Sequence, residues 1–492
     1  MADAKLALVK AQELYKDLAE RRPQVTKNER YASGIHPLTF ATKEWGASHR
    51  NRYAGFSDNW CGVVGSAPAE RTKIEGFRLG ADTEPLSDDE RALWETWERN
   101  DGPAQSAQGF QTSTIARRSF ALVWGDENDD ATLSWEHPSQ VIVDYSAENR
   151  RVRRAALKVW VDDKDERMTL YTAEYVWKWR RPSWRANTAK TEAERNGGLV
   201  LPASATSSID GNWEPYQGRS DDTWPISHPL GRVPMVEFPN RPTLSGGPVS
   251  DIEGTMAMQD AVNLLWAYLF VAADYASMPA RVISGAEPPK IPVLDSNGVE
   301  TGNFKPVDIE SLAKGRMMWL TGEAKAQQWD AARLDVFTNV INIAIKHIAA
   351  QTRTPIYLIH GELGNVNGET LTGLDAPLVS KVRDGHTFYT SPVREVFSLM
   401  ASAGGNEKTA IAARSGMVKW HNPALASDAQ IADAALKSRQ VGIPMQVVLE
   451  SIYGYDPGEV DRIIRLARDE ALDPYLAAIN AKGVTDGAPA TS

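Results

Sequence analysis

The sequence predicts an α+β chain, predominantly helical, and three observations carry that reading. Apolar and polar residues alternate over VIVDY (141–145), AALKVWVDD (155–163) and MTLYTAEYVWKW (168–179), which is the period of strands. From Ser250 the period lengthens, and the run from Asp251 to Met278 reads as one helix ending at Pro279. Ahead of the strands, residues 2–22 form a charged amphipathic stretch, also helical.

Pro23 is expected to stop this first helix, because its ring removes a donor and clashes with the preceding turn. In FSDNWCGVVGSAPAERTKIEGFRL, Val63, Val64 and Ile74 mark short buried elements. Ser87 and Glu90 stand at capping-box spacing and open a helix with Leu93, Trp94 and Trp97 on one face. Another helix is expected over 105–123, ahead of Gly125. Within the strands, Leu157, Val159 and Val161 face away from Lys158 and Trp160, and DDKDE supplies a polar turn, as in an antiparallel hairpin or small sheet. Residues 183–224 are polar and read as a long exposed loop, and VPMVEF (233–238) closes this mixed region.

The helix from Asp251 is apolar on almost every face over 261–273, so it must be covered on all sides. A Gly/Pro-punctuated insert follows it. A second helix, about 331–352, carries Val336, Val340, Ile343 and Ile348 at helical spacing. TRTPIYLIHGELGNVNG (352–368) interrupts, and a third long helix runs from about Glu369 to Met400. A short strand, MVKWHNP (417–423), precedes helices near 427–441 and 457–472.

Composition narrows the function. The chain has 492 residues, 42% hydrophobic and 24% charged, enough for several domains. A net charge of −10 is not that of a generic nucleic-acid binder, although an acidic wall lets a duplex slide where a basic one would hold it. Cys61 stands alone, so no disulfide within the chain and no cysteine-based zinc site is expected. Residues 261–273 fall short of the ~20 apolar residues that span a bilayer, so no membrane is expected.

The chemical motifs point away from catalysis. GELGNVNGET (361–370) lacks the Gly-Lys-Ser/Thr ending of a phosphate-binding loop. No pair among the eight histidines has metal-ligand spacing, and His36, His137 and His228 each precede proline, as turn residues do. Acidic clusters at Asp126, Glu127, Asp129 and Asp130 and at Asp162, Asp163, Asp165 and Glu166 could hold a cation for a metal-dependent nuclease, but solvated turns explain them more simply. VWKWRRPSWR (176–185) interleaves aromatics with Lys178, Arg180, Arg181 and Arg185. That suits single-stranded nucleic acid, or an edge strand protected by its charges. No catalytic residue, cofactor or metal is assigned.

The order of segments resembles the phage portal family, in particular the branch of long-tailed siphophages and actinobacterial phages. Tyr31, Gly34, His36, Pro37 and Leu38 look like its opening motif; Asn59-Trp60-Cys61, then Glu70-Arg71 and Glu75-Gly76-Phe77, resemble the next block. HPSQVIVDY and TLYTAEYVWKW are similar to its wing strands, and Ser250-Asp251-Ile252-Glu253 to the start of its long helix. GNVNGETL sits where the family has a channel loop, and Lys419-Trp420, SDAQIADAALKSRQVGIP and IYGYDPGEV look like its C-terminal block.

The resemblance implies a portal fold assembled as a ring. Residues 1–249 would form the wing, 250–278 and 332–353 two stem helices, and 279–331 the clip between them. Residues 354–368 would be the tunnel loop, 369–425 a further wing helix and strand, and 426–492 the crown and tail. It implies a homo-oligomer, typically dodecameric, at one capsid vertex of the virion, assembled in the host cytoplasm. Duplex DNA would pass through it during packaging and ejection. Terminase, a head–tail connector or adaptor, the major capsid protein and scaffold would be partners. Candidate DNA contacts are Arg353, Glu362, Asn365, Asn367 and Glu369 at the loop, and Lys290, Lys305, Lys314 and Arg316 in the clip and stem. The rival classes are another virion ring, connector or capsid protein, or a metal-dependent nuclease.

Overall fold

The computed structural model describes residues 3–36, 56–80, 87–125, 130–162, 165–182, 211–217, 223–245, 247–277, 281–284, 290–294, 298–306, 317–320, 333–360, 368–424, 428–455 and 458–470. They fall into two compact units. Met1–Ile35, Asn59–Met256 and Ala349–Ser492 form the first; His36–Asp58 and Ala257–Ile348 form the second. Helices and strands are mixed throughout, as an α+β chain requires.

The first unit begins with helix α1 (Ala4–Ala32), which runs straight through Pro23. An internal proline costs about 3 kcal/mol. The residues beyond it offset that cost, because Val25, Asn28, Glu29 and Tyr31 are all buried. Just before it, Arg22 Nε donates to the Ser139 carbonyl at 2.8 Å, and Asn28 Nδ2 donates to the Ile115 carbonyl at 2.9 Å. Tertiary contacts therefore outweigh the local stop signal.

Helix α2 (Trp60–Glu70) and strand β1 (Ile74–Arg78) are the short buried elements expected around Val64 and Ile74. Helix α3 (Asp88–Arg99) opens on the complete Ser87–Glu90 capping box. Helix α4 (Gly102–Ala116) is shorter than expected, since Arg117 takes φ 75° and strand β2 (Arg118–Gly125) follows. The run from Phe120 to Trp124 is apolar and short, and periodicity cannot tell such a run from a helix end.

Strand β2 is the middle of a three-stranded antiparallel sheet, between β3 (Ala131–Glu136) and β10 (Met235–Pro239). Strands β4 (Val141–Tyr145), β5 (Arg153–Asp162), β6 (Asp165–Tyr171) and β7 (Tyr175–Pro182) make an antiparallel meander. Two-residue strands β8 (Glu214–Pro215) and β9 (Ile226–Ser227) flank β7, so β7 is not an edge. Helix α1 lays Ala11, Leu14 and Leu18 on one face of this meander, against Leu157, Val159, Met168, Trp177 and Trp179.

Part of the expected exposed loop at 183–224 is thus built into the fold. Trp213 is buried edge-on to Tyr15, and Trp224 Nε1 donates to the Lys178 carbonyl at 2.9 Å. Residues 183–210 and 218–222 lie outside the described ones. The main core gathers around the long helix Gly368–Ala403, where Phe397 stacks on Phe77 at 4.2 Å and on Trp97 at 5.3 Å. Strand Met417–Trp420 pairs with β1, and the C-terminal block contains helices Asp428–Gln440 and 458–470 with a π-turn at Leu449–Tyr453 between them.

The second unit holds most of two helices, Met256–Ser277 and Leu334–Thr352. Strands Arg281–Ser284 and Met317–Leu320 pair in parallel, and Lys290–Leu294 and Glu300–Pro306 antiparallel. Residues 56–58 strap the apolar helix. Asn263 Oδ1 accepts the Asp58 N–H at 3.0 Å, Trp266 Nε1 donates to Asp58 Oδ2 at 2.8 Å, and Phe56 packs edge-on to Trp266 and Phe270. By length and composition alone, 253–273 is long and apolar enough to cross a membrane. On the other helix, Ile341, Ile345 and Ile348 are buried, whereas Val336, Val340 and Ile343 are exposed. The helical spacing was legible; which apolar stripe is covered was not.

Candidate functional site

The junction between helices Leu334–Thr352 and Gly368–Ala403 is built from polar groups that tie backbone ends down. The first helix closes at Arg353, whose φ of 57° is a left-handed position usually given to glycine. The Thr354 N–H reaches back to the Ala349 carbonyl at 3.0 Å, which completes the cap. The Arg353 guanidinium lies 3.5 Å from Asp384, with both side chains more than half exposed.

Beneath this surface pair, Lys381 is buried. Its Nζ donates to the Thr352 carbonyl at 3.1 Å and stands 2.9 Å from Asp251 Oδ2. Asp251 also accepts from Asn240 Nδ2 at 3.1 Å and pairs with Arg241. Burial pushes the Lys381 ammonium below its ordinary pKa, and the adjacent Asp251 carboxylate resists that shift.

A second cluster holds the short helix Ile356–His360 against the long one. Tyr357 Oη donates to Asp375 Oδ1 at 2.7 Å, and Arg71 reaches both residues, at 2.5 Å from Asp375 Oδ2 and 3.1 Å from Tyr357 Oη. Arg71 also donates to the Pro423 carbonyl at 3.1 Å. Burial alone would lower the Arg71 pKa, but its bonds to Asp375 and Tyr357 outweigh that and raise it. Burial, then Asp375, raises the Tyr357 phenol. These groups fix charge and geometry.

Of the expected DNA contacts, Arg353 sits at the junction, and Glu369 lies in the first turn of the long helix. Glu362, Asn365 and Asn367 lie outside the described residues, as do Lys314 and Arg316. Lys290 and Lys305 are exposed on paired strands of the second unit. Lys290 faces Pro306 and Lys305 faces Ile291, so the pleat sends the two lysines to opposite faces of the hairpin. Sequence reasoning missed Lys381, Asp375 and Tyr357. The signal for Lys381 was faint: Leu378 and Val382 flank it on the buried face, a setting that asks a lysine for a partner.

The other candidates are absorbed by structure. Glu166 accepts from Arg181 Nε at 2.8 Å and pairs with the Tyr15 hydroxyl, and Asp130 lies 3.4 Å from Arg99. Asp126, Glu127, Asp129 and Asp163 lie outside the described residues, and among the described ones no three potential metal ligands cluster. Trp177 and Trp179 are buried under α1, so the aromatics of 176–185 offer no stacking platform there. Lys178, Arg180 and Arg181 belong to an interior strand, which removes the edge-protection reading, and Arg185 lies outside the described residues.

Comparison with known proteins then decides the family. The model described as "Phage portal protein, SPP1 Gp6-like" matches residues 12–465. The chain belongs to the phage portal protein family. The portal protein of Mycobacterium phage L5 is 25% identical over 391 residues, covering 75% of this chain and 69% of its own length. That of Mycobacterium phage D29 is 25% identical over 430 residues, covering 82% and 77%. Both are from actinobacterial phages, the branch that the ordered motifs resemble. Family membership makes this a phage portal subunit and a component of the virion.

Proposed function

We propose that twelve copies of this chain form the ring at one capsid vertex through which duplex DNA is packaged and later ejected. The ring docks the terminase large subunit during packaging and a head–tail connector afterwards, and sits among major capsid protein and scaffold. It is a mechanical part and not an enzyme. In this reading 1–249 and 369–425 are wing, 250–278 and 332–353 stem, 279–331 clip, 354–368 tunnel loop and 426–492 crown. DNA is met through its backbone and without sequence preference, at Arg353, Glu362, Asn365, Asn367 and Glu369, and at Lys290, Lys305, Lys314 and Arg316.

The observation that carries the reading is a family match running from residue 12 to residue 465, nearly the whole chain. Electron microscopy of the purified full chain tests it. A closed ring with a narrow axial channel is expected. A flat sheet, a shell or a persistent monomer overturns it in favour of a capsid or connector role. Magnesium-dependent cleavage of DNA, lost on substitution of Asp126 and Asp129, would overturn the non-enzymatic part.

A further inference from the structure

The turn that joins β4 to β5 is the most arginine-dense place in the sequence, with Arg150, Arg151, Arg153 and Arg154 within five residues. The turn is held by its own bonds. The Ser146 N–H donates to the Val152 carbonyl at 2.9 Å, the Val152 N–H to the Asn149 carbonyl at 2.9 Å, and the Arg151 N–H to Asn149 Oδ1 at 3.0 Å. Arg150 and Arg151 are therefore presented from a closed turn. Both are exposed; Arg150 Nη1 reaches the Leu244 carbonyl at 3.3 Å, and neither arginine pairs with a carboxylate among the described residues.

The acids beside them are oversubscribed. Asp144 lies 3.0 Å from Arg154 and also 3.0 Å from Lys10. Glu395 is shared in the same way by Arg153 and by Arg232, the latter at 3.0 Å. Two carboxylates are thus shared by four cations, of which, among the described residues, only Lys10 has a further acid, Glu13 at 3.7 Å, and Glu148 adds one exposed acid beside Arg150 and Arg151. Six cations against four acids is a local excess in a chain of net charge −10. Arg150 and Arg151 are neighbours on the exposed turn, and an anion docked on both relieves their mutual repulsion.

We propose that the arginine turn at 150–154 is a second, sequence-independent docking surface for the phosphate backbone of duplex DNA, separate from the junction at 353–369. Five of the six cations are arginines, whose planar donors match phosphate oxygens two at a time. A convex turn has no need of base contacts; it needs only closely spaced phosphates, and duplex DNA carries a charge every ~1.7 Å along its axis. The surface rests on the portal reading for the supply of duplex DNA, and not for its own chemistry.

The test is fluorescence anisotropy of a labelled duplex with the full-length protein across a salt series. In Arg150→Glu/Arg151→Glu, the slope of log affinity against log salt should fall by about 2, near 0.9 for each lost phosphate contact. Arg150→Lys/Arg151→Lys should keep the slope, and Lys290→Glu/Lys305→Glu should leave the effect of the arginine reversal undiminished. An unchanged slope in the reversed variant overturns the proposal, as does tighter binding of polyglutamate than of DNA by the unaltered protein. Failure to form a ring in micrographs removes the portal reading instead, whereas a normal ring whose DNA binding ignores Arg150 and Arg151 removes only this surface.

Discussion

Lys381 and Asp251 form a buried ion pair, Nζ 2.9 Å from Oδ2, with 5% and 1% of their side chains exposed. Asp251 lies just ahead of helix Met256–Ser277, and the same ammonium caps the last carbonyl of helix Leu334–Thr352. One side chain on the long helix thus ties the segment ahead of one proposed stem helix to the last residue of the other. A buried pair adds little net stability over an apolar pair, but it punishes the loss of either partner.

Lys381→Met should therefore destabilise by about 1–3 kcal/mol, because Asp251 loses one of its two cations, keeping Arg241, and the Thr352 carbonyl loses its buried donor. Lys381→Met with Asp251→Asn should cost clearly less than the sum of the two single changes. Urea midpoints of all three variants decide it; strict additivity would show that the pair is not coupled.

How much of this was legible in the sequence depends on the range of the forces involved. The strands over 141–179 and the Ser87 capping box were legible because their signals are local, in pleat alternation and in a three-residue spacing. The passage of α1 through Pro23 was not, because Arg22 and Asn28 are satisfied by Ser139 and Ile115, far along the chain. Lys381 reads in sequence as one more surface lysine on a long helix, and its partner Asp251 is 130 positions away. Family resemblance suggests the junction as a site, and packing shows what ties its ends down.

His386 makes stability fall in acid. It is buried and stacked on Trp420 at 4.5 Å, and burial, then Arg383 and His421, lower its pKa to about 4. The unfolded chain takes up that proton near pH 6.5. Between those values the unfolded state binds more protons, so stability drops as pH falls through the window, by up to roughly 3 kcal/mol. Below it both states are protonated and the loss is complete. His386→Phe should lose less stability than the unaltered protein between pH 6.5 and 4 in matched urea titrations. Parallel curves would refute the assignment.

Two helical glycines should respond oppositely to alanine. A Cβ on Gly109 would lie 1.8 Å from Trp135 Nε1, inside the main core. Gly109→Ala should cost about 1–3 kcal/mol as that indole is displaced. Gly373, on the exposed face of the long helix, has nothing within 4 Å of such a Cβ. Gly373→Ala should gain up to about 1 kcal/mol from helix propensity. Thermal melts of the two variants, shifted to opposite sides of the parent, are the expected result.

Removing Gly364–Gly368 separates a loop that meets DNA from one that holds the ring together. The groups that anchor its two flanks, Tyr357, Asp375 and Arg71, all lie outside the deleted stretch and bond to one another directly. Lys381 and Asp251 are likewise untouched. The deletion should therefore leave rings intact in micrographs while DNA packaging or retention falls. Asp375→Ala is the complementary change, since it keeps every loop residue but strips Arg71 and Tyr357 of their shared acceptor. If the loop acts from a fixed base, this variant too should form rings and package poorly, and Asp375→Glu should recover part of the loss. Collapse of ring assembly in the deletion would make 364–368 a structural connection and move the DNA contact elsewhere.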